Sequence, residues 1–394
     1  MRILTLCYEF PPVGGGGSKA AHGLARELVR QGHFVQLLTL GFRNQLASEC
    51  VDGIHVRRVH GLRAHHDRTR AYELASYLMA VRRPLRALLR DGRYDVVHIH
   101  FLLPDGLLVL LVPELRSLPL VMTAHGTDVP GFNPDRFRFM HRLLRPIWLR
   151  VTRAAGAIVC PSAYLQGLVQ RAAPAARTLV IPNGIDPGGV RVDRPRTLTV
   201  LAVSRLVERK GLQNLIAALA HTTPALRAVI VGSGPYGDSL AAAAAPLGDR
   251  VAFRGWLDHH STELRELYET CAIFVLPSRA ENFPMVLLES MAAGQAIVTT
   301  DGTGCREVVG DAALLVRDGD IEQLAGVLDL LAADEALRTR LQRAARARLE
   351  QRYTWSSVAR RYLALFEAQG AGVTSGAPLP DVTESARARL PDRR

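Results

Sequence analysis

The sequence predicts an α/β protein with two doubly wound parallel sheets, each in its own domain. Short apolar runs alternate with helical patterns through most of the 394 residues, as expected of βαβ units. Thirteen runs have the character of strands, which is more than one ordinary open sheet holds. A turn-rich stretch, Asp186–Pro195, precedes a fresh strand and marks the boundary between the two domains.

The first half of the chain holds seven of these strands. They are Ile3–Cys7, Phe34–Leu40, Ile54–Val59, Val96–His100, Leu120–Ala124, Ala157–Cys160 and Thr178–Ile181. The helices predicted between them include Ala20–Arg30, Tyr72–Arg90 and Arg136–Arg153. The first run leads into Glu9 and two prolines, so we expect a buried strand there and not a signal peptide.

The second half repeats the alternation. Its predicted strands are Leu198–Val203, Ala228–Val231, Val251–Arg254, Ile273–Leu276, Ala296–Thr299 and Ala313–Val316, and its helices include Leu212–Ala220, Ser261–Cys271 and Met285–Ala293. We therefore expect an N-terminal domain over residues 1–190 and a C-terminal domain over residues 191–352. A helix over residues 353–369 is expected to pack back on the first domain, and the Gly-, Pro- and Ser-rich tail, 370–394, to be disordered.

Positive charge is concentrated in the first half of the chain. Residues 1–190 hold 24 Lys and Arg against 13 Asp and Glu, whereas the whole chain has a net charge of +12. This asymmetry favours a polyanionic partner, either nucleic acid or an anionic membrane surface. The alternative is an Arg-rich composition bias, since Lys19 and Lys210 are the only lysines.

The remaining composition narrows the class of protein. Hydrophobic residues make up 48% and charged residues 22%, which is typical of a globular chain and excludes a disordered or disulfide-dense one. No apolar run approaches the ~18 residues that a transmembrane helix needs. Five cysteines without a CxxC pair favour free thiols in a reducing cytoplasm.

Four glycines, Gly14–Gly17, follow the first predicted strand and precede a helix. Their backbone N–H groups can approach an anion, and the N-terminus of the helix adds positive potential. Ser18 is the expected N-cap of that helix. Because Lys19 follows Ser18, the Gly-Lys-Ser/Thr order of a P-loop ATPase is absent. The alternative is a flexible turn without a ligand.

A second glycine-rich turn, Gly232–Gly237, matches GxGxxG after a strand, a pattern that taken alone indicates a dinucleotide site. No acidic residue ends the next strand, so we favour a tight strand–helix turn over NAD binding.

A basic pair, Arg205 and Lys210, lies at the end of the first strand of the second domain, with five residues from one to the other. Both can reach one diphosphate, unless they form only a solvated basic corner.

The strongest signal is the segment Pro277–Glu289. Glu281 follows a buried strand, and Glu289 lies in the next helix, whose first residue is expected to be Pro284. Such carboxylates can accept hydrogen bonds from adjacent hydroxyls of a sugar or ribose ring. The alternative is that Glu281 caps the helix and Glu289 belongs to its solvated face. The N–H groups expected to face an anion at the helix start are those of Met285, Val286 and Leu287.

Three histidines lie near strand ends of the first domain. His98 and His100 share one face of a strand because side chains there repeat every two residues. Metal binding by this pair is disfavoured, since no Cys or carboxylate completes a set in sequence. His125 follows the next strand, and a lone histidine there is more often structural.

Taken in order, these segments resemble the motifs of retaining GT-B glycosyltransferases, glycosyltransferase family 4 (glycosyl transferases group 1). Glu281 to Glu289 is similar to the E-x7-E signature, and Arg205 with Lys210 to the diphosphate clamp. The other matching segments are Gly14–Gly17 (phosphate loop), Thr123–Asp128 (T-x-H-G-x-D), Ile181–Asp186 (N-G-I-D) and Thr299–Glu307 (G-G-x-x-E). The resemblance covers about residues 1–369.

The resemblance implies the GT-B fold, two doubly wound Rossmann-like parallel-sheet domains facing a central cleft. A nucleotide-diphosphate hexose, linked to UDP or GDP, would bind mainly to the second domain. Arg205 and Lys210 would neutralise the departing diphosphate. Glu289 would hold the ribose hydroxyls, and Glu281 those of the transferred sugar. Further donor contacts implied by the resemblance are the backbone of Asn282 and Phe283, the amides of Gly15 and Gly16, and His125 near the transferred sugar.

The reaction implied is metal-independent hexosyl transfer with retention at the anomeric carbon. Cations and N–H dipoles aimed at the dianionic leaving group supply the main catalytic effect. We expect front-face attack with the leaving phosphate as base. A short-lived covalent species on Glu281 stays open as the alternative. Pro284 and Thr303 replace glycines of the family pattern, which leaves the identity of the sugar open.

The first domain would bind the acceptor, a glycan or a lipid-linked sugar of polysaccharide or glycolipid assembly. Its Arg-rich stretches, 57–70, 82–93 and 136–153, suit docking on an anionic leaflet, so we expect a cytoplasmic protein, peripheral on the inner membrane face. No nucleic-acid partner is expected. The alternatives are a GT-B sugar-nucleotide epimerase and a basic, non-enzymatic nucleic-acid-binding protein.

Overall fold

The computed structural model describes residues 1–65, 69–132, 134–258 and 261–371. The chain divides into two compact units: one comprises residues 1–184 together with the chain from Trp355 onward, and the other comprises residues 185–354. Most of the tail predicted to be disordered, 372–394, lies outside the described residues. Within the described ranges, no helix combines the length and the apolar composition needed to cross a bilayer.

The first unit is built on an eight-stranded sheet. Its strands are β1 (Arg2–Leu6), β2 (Phe34–Leu40), β3 (Ser48–Val51), β4 (Ile54–Val59), β5 (Val96–His100), β6 (Leu120–Thr123), β7 (Ala157–Cys160) and β8 (Thr178–Val180). Its α-helices are α1 (Gly16–Arg30), α2 (Ala71–Asp91), α3 (Leu108–Leu111), α4 (Pro134–Ala154) and α5 (Ala163–Ala172). The strand order is β3-β4-β2-β1-β5-β6-β7-β8, and only β3 pairs antiparallel to its neighbour.

The second unit is built on a six-stranded, fully parallel sheet. Its strands are β9 (Thr197–Val203), β10 (Arg227–Val231), β11 (Val251–Phe253), β12 (Cys271–Leu276), β13 (Ala296–Thr300) and β14 (Ala313–Val316). Its α-helices are α6 (Leu212–Leu219), α7 (Gly237–Ala244), α8 (Thr262–Thr270), α9 (Met285–Ala293), α10 (Gly304–Val309), α11 (Ile321–Ala333) and α12 (Glu335–Arg352). The strand order is β11-β10-β9-β12-β13-β14.

The predicted fold class, two doubly wound parallel-sheet domains, is confirmed. The central strands are buried along their whole length, because helices cover both faces of each sheet, and this is why they appear in the sequence as uninterrupted apolar runs. All thirteen predicted strands form, with ends shifted by at most two residues. The short edge strand β3 was not predicted.

A last helix, α13 (Trp355–Gly370), completes the first unit after the chain has passed through the second. Its apolar face joins the core that α1 and the sheet form, with Tyr362 and Phe366 buried. The indole of Trp355 lies directly over Gly23 of α1 and over Gly184, where any Cβ would overlap the ring. Glycine at these two positions therefore lets α13 pack closely against the unit.

In both sheets the strand order reverses next to the first strand of the unit. In the first unit this point lies between β1 and β5, and in the second between β9 and β12. The loops that leave neighbouring strands there turn in opposite directions and open a crevice at the carboxyl edge of the sheet, where open α/β sheets bind ligands. Most of the predicted site residues lie in these loops or in the first turns of the helices that follow them.

Candidate functional site

In the second unit, a lysine and a glutamate meet where the strand order reverses. Lys210 ends a 3-10 turn, Glu208–Lys210, that follows β9, and Glu281 lies in the loop after β12. The Lys210 ammonium donates a short hydrogen bond to a carboxylate oxygen of Glu281. The side chains are only 15% and 11% exposed, so bulk ions screen this pair weakly. The structure thus brings together two residues that the sequence analysis assigned to one site.

Backbone contacts hold these two loops in register. The N–H of Arg279 donates to the carbonyl oxygen of Arg209 at 2.9 Å, which ties the loop after β12 to the turn that carries Lys210. Gly211, next to Lys210, has a φ of +71°, and a Cβ there would overlap the carbonyl oxygen of Pro277. Arg205 lies in the same loop after β9, with its side chain exposed to solvent.

Glu289 is buried, so the alternative that it belongs to a solvated helix face is wrong. It lies in α9 with 9% exposure, and the phenol of Tyr268 donates a 2.7 Å hydrogen bond to its carboxylate. Burial, followed by the nearby charge of Glu289, raises the pKa of Tyr268 well above its usual value, so the phenol stays a donor. Sequence reasoning missed Tyr268, which appears there only as part of an amphipathic helix.

The start of α9 differs from the prediction in two ways. Pro284 is the N-cap, with an extended backbone, and the helix begins at Met285. The N–H of Leu287 donates to the carbonyl oxygen of Pro284 at 3.1 Å, so it is not one of the free groups, and the Leu287 side chain belongs to the core. Met285 and Val286 remain the predicted N–H donors at this helix start.

The loop after β13 supports the backbone beside Glu281. The N–H of Gly304 donates to the carbonyl oxygen of Glu281 at 3.0 Å, and a Cβ at 304 would overlap the carbonyl oxygen of Asn282. Thr303, which departs from the family pattern, caps α10 by accepting a hydrogen bond from the N–H of Cys305. The capping role explains why a threonine is present at 303. Gly304, the next residue, holds the Glu281–Asn282 segment in place through its backbone contact. Asn282 and Phe283 are themselves buried.

The GxGxxG turn has a packing explanation. Gly232 has a φ of +141°, and a Cβ there would overlap the carbonyl oxygen of Ser204. A Cβ on Gly234 would overlap the backbone of Leu206. The glycines thus let the loop after β10 lie against the loop after β9, in agreement with the predicted tight strand–helix turn.

In the first unit, the glycine loop leads directly into α1. Gly15 is the N-cap and the helix begins at Gly16, so the prediction that Ser18 caps the helix is wrong. The Ser18 hydroxyl, inside the first turn, donates to the carbonyl oxygen of Val13 at 2.6 Å. Gly15 and Gly16 are exposed, with no atom within 4 Å of where a Cβ would stand. Burial raises the pKa of Glu9, which precedes this loop, to about 7.

His125 lies in the loop after β6, where Asp128 holds the backbone. The Asp128 carboxylate accepts hydrogen bonds from the N–H groups of His125 at 3.0 Å, Gly126 at 2.8 Å and Leu102 at 2.7 Å. Burial raises the pKa of Asp128 to about 6 and lowers that of His125 to about 3, so the imidazole is neutral at physiological pH. The role of Asp128 was not predicted, although it stands in the T-x-H-G-x-D segment.

His98 and His100 share one face of β5, as predicted, with ring centroids 4.2 Å apart. Burial lowers the pKa values of both. Nε2 of His98 is 2.8 Å from the hydroxyl of Thr123, whereas Nδ1 of His100 is 3.0 Å from Nε2 of His125. Across the described residues, no group of three or more His, Cys, Asp or Glu side chains is arranged to hold a metal ion.

Known protein families match both units. The family described as Glycosyltransferase Family 4 matches residues 14–188, and the family described as Glycosyl transferases group 1 matches residues 192–348. Glycogen synthase of Mycobacterium tuberculosis is 30% identical over the whole of both chains. The phosphatidyl-myo-inositol mannosyltransferase of Mycolicibacterium smegmatis is 30% identical, over 77% of this chain and 80% of its own.

A solved structure shares the fold over nearly the whole chain. HepE of Anabaena in complex with UDP superposes with a TM-score of 0.72 at 19% identity, covering 93% of this chain and 100% of its own. The same protein in complex with UDP-glucose superposes with a TM-score of 0.70.

Proposed function

Because this chain belongs to the family 4 glycosyltransferases and has their GT-B fold, we propose that it transfers a hexose, with retention, from a UDP- or GDP-linked donor. The family predicted from the motifs is confirmed, and glycosyl transfer follows from it. The proposed acceptor is a glycan or a lipid-linked sugar in polysaccharide or glycolipid assembly. UDP-glucose is the donor to test first, since HepE was solved with it.

The observation that carries this proposal is the buried Lys210–Glu281 pair at the carboxyl edge of the second sheet. When the bond between sugar and phosphate breaks, negative charge develops on the diphosphate. A lysine already held in place stabilises that charge without reorganisation, and such preorganised groups are worth several kcal/mol in the transition state. Exposed Arg205 supplies a second cation from the same loop.

The two carboxylates take different parts of the donor. Glu281 keeps oxygen lone pairs for hydroxyls of the transferred sugar, and Glu289, held by Tyr268, accepts hydrogen bonds from the ribose. The backbone of Asn282 and Phe283 and the N–H groups of Met285 and Val286 complete the proposed donor contacts. The donor contacts proposed for Gly15, Gly16 and His125, which belong to the first unit, rest on the resemblance to the motifs of glycosyltransferase family 4.

For the reaction course we propose front-face attack. The acceptor hydroxyl approaches the anomeric carbon on the side from which the diphosphate leaves, and a phosphate oxygen takes its proton. The engagement of Glu281 by Lys210 supports this course, because a carboxylate shared with an ammonium is a weaker nucleophile. We also propose that no metal takes part, for which full activity in the presence of a chelator is the check.

Ligand-induced thermal stabilisation tests the donor site. Nucleotide at 100 times its Kd should add about 2.7 kcal/mol to the free energy of unfolding. We expect UDP or GDP to raise the Tm of the wild type, and ADP, CMP and NAD not to. Lys210→Met and Arg205→Met should lose most of the shift. Arg227→Met, which changes another exposed arginine of the same unit, should keep it. Equal shifts in all three variants would contradict the proposed clamp.

For the acceptor side, we propose that the first unit docks on an anionic membrane surface. A groove between the end of β4 and α2 is lined by Arg82, Arg83 and Arg86, and no Asp or Glu among the described residues lines it. Leu62 and Met79 at its rim are 61% and 67% exposed. Nε of Arg82 is buried and has no hydrogen-bond partner within the described part of the chain. A lipid phosphate matches this combination of charge and apolar surface.

Vesicle sedimentation at low salt tests the docking. The protein should sediment with phosphatidylglycerol vesicles and not with phosphatidylcholine vesicles. Arg83→Glu in the groove should weaken binding by several-fold, at about 1 kcal/mol per basic residue, while Arg171→Glu on α5 has a smaller effect. Failure to sediment with anionic vesicles would remove the membrane part of the proposal and leave the transferase part intact.

A further inference from the structure

The ring of His125 is bonded to a second histidine that the sequence analysis considered only as a metal ligand. Strands β5 and β6 are parallel neighbours, and His100 at the end of β5 pairs in register with Thr123 at the end of β6. Two residues later the chain reaches His125, whose Nε2 lies 3.0 Å from Nδ1 of His100. His100 is 2% exposed, whereas His125 as a whole residue is half-buried.

Both rings are neutral, because burial lowers the pKa of each. A hydrogen bond between two neutral imidazoles needs one N–H and one bare nitrogen, so only two arrangements exist. Either Nε2–H of His125 donates to bare Nδ1 of His100, or the reverse. The first places both protons on Nε2, the tautomer that neutral histidine prefers in water. The second places both rings in the less favoured tautomer, so the intrinsic preference of the imidazole favours the first arrangement.

We infer that His100 is a positioning residue that holds His125 with its proton on Nε2 and presents the bare Nδ1 as a hydrogen-bond acceptor for a substrate hydroxyl. Two further contacts hold His125. Its backbone N–H is bonded to Asp128, and its ring packs against Phe101 with centroids 4.4 Å apart. Tautomer and orientation are thus set before any ligand arrives.

The neighbouring histidine does not compete for this bond. Nε2 of His98 is engaged by the hydroxyl of Thr123, which is also 3.0 Å from the phenol of Tyr362 in α13. The buried polar groups therefore form two sets, His100 with His125, and His98 with Thr123 and Tyr362. That the hydroxyl bound by His125 belongs to the transferred sugar rests on the proposed function.

Nitrogen NMR on the full chain tests the tautomer directly. In protein labelled with ¹⁵N-histidine, two-bond ¹H–¹⁵N correlations distinguish protonated from bare ring nitrogens, and the His125 signals are those lost in His125→Gln. We expect Nε2 of His125 to be protonated and Nδ1 bare between about pH 6 and pH 8, since its pKa is about 3. A proton on Nδ1 in the wild type overturns the inference, whatever the variants do.

Variants then test the positioning role. His100→Leu removes the acceptor, so His125 should show a mixture of tautomers, and the rate of sugar transfer should fall by about tenfold, the value of one hydrogen bond. In His100→Asn, the amide oxygen can accept the same bond, so tautomer and rate should return to within about threefold of the wild type. Tyr362→Phe removes a hydroxyl from the other buried set and should change neither.

The outcomes separate this inference from the proposed function. Equal rate losses in His100→Leu, His100→Asn and Tyr362→Phe indicate a merely structural effect and overturn the positioning role. An unchanged tautomer in His100→Leu does the same. If the wild type has the expected spectrum but transfers no sugar, the proposed function fails while the assignment of the tautomer stands.

Discussion

Replacing Glu281 by glutamine should lower the stability of the protein and at the same time strengthen its binding of a nucleoside diphosphate. The substitution keeps the shape of the side chain and removes one charge of the pair with Lys210. Two unit charges about 4 Å apart attract by about 4 kcal/mol at an effective dielectric constant near 20. Breaking a buried pair by removing one partner costs about 3–5 kcal/mol. With side chains 15% and 11% exposed, we expect the lower end of that range.

Unfolding experiments measure the first effect. A loss of about 3 kcal/mol should lower the Tm of the ligand-free protein by roughly 6–12 °C for domains of this size. The matched control is Glu266→Gln, whose carboxylate is 54% exposed and 3.9 Å from Arg194 in the same unit. An exposed pair of this kind contributes at most about 1 kcal/mol, so the control should lie close to the wild type.

Calorimetric titration with UDP measures the second effect. In Glu281→Gln, Lys210 no longer shares its positive charge with a carboxylate, and a negative charge beside the ligand is gone. We expect UDP to bind about tenfold more tightly, which corresponds to ~1.4 kcal/mol. Sugar transfer should nevertheless fall, because the contact with the sugar hydroxyls is weakened. If UDP binds tenfold more weakly to the variant, or if the Tm is unchanged, the shared-lysine reasoning is wrong.

Three further predictions concern single contacts. Tyr268→Phe removes the hydrogen bond to buried Glu289, so the free energy of unfolding should fall by about 1.5–3 kcal/mol and UDP binding should weaken in titration. Gly304→Ala should abolish sugar transfer, because a Cβ at this position would displace the Glu281–Asn282 loop. Gly326→Ala is the control: this glycine lies inside α11 with open space around it, so alanine should add about 1 kcal/mol to the free energy of unfolding and raise the Tm. Burial raises the pKa of Asp105 to about 8, so the native state keeps a proton that the unfolded chain loses near the usual pKa of 3.8. The free energy of unfolding should therefore fall as the pH rises between these two values. Thermal scans of Asp105→Asn at several pH values should show a smaller fall than those of the wild type.

The fold was predictable because its strands are buried on both faces. Fully buried strands appear as short apolar runs, and helices between them impose parallel pairing. The strand that escaped prediction, β3, is four residues long and lies at the sheet edge, with alternate residues exposed and antiparallel pairing to β4. Nothing in its composition separates it from a loop. The start of α1 was misplaced for a related reason, since glycine is a poor helix former and Gly16 nevertheless begins the helix.

The candidate site was predictable loop by loop but not contact by contact. Lys210 and Glu281 could be assigned to one place because both follow strands of one parallel sheet. The partners of the other site residues, Glu289 and His125, could not be predicted. Tyr268 reaches Glu289 from a different helix, and that contact depends on how the two helices are rotated about their axes. The His100–His125 bond depends likewise on the register of β5 against β6.

Glu281 and Glu289, both buried in the second unit, have partners of different charge, and this difference has a functional consequence. Glu281 is paired with a cation that the diphosphate also needs, so ligand and carboxylate share the charge of Lys210. Glu289 is paired with a neutral phenol, which orients the carboxylate and leaves its negative charge available to ribose hydroxyls. Removing the charge at 281 should therefore tighten UDP binding, whereas removing the phenol at 268 should weaken it. Measured side by side, opposite signs in these two variants indicate that one carboxylate restrains the catalytic lysine and the other binds the nucleotide. Equal signs would mean that both serve only to hold the loops together.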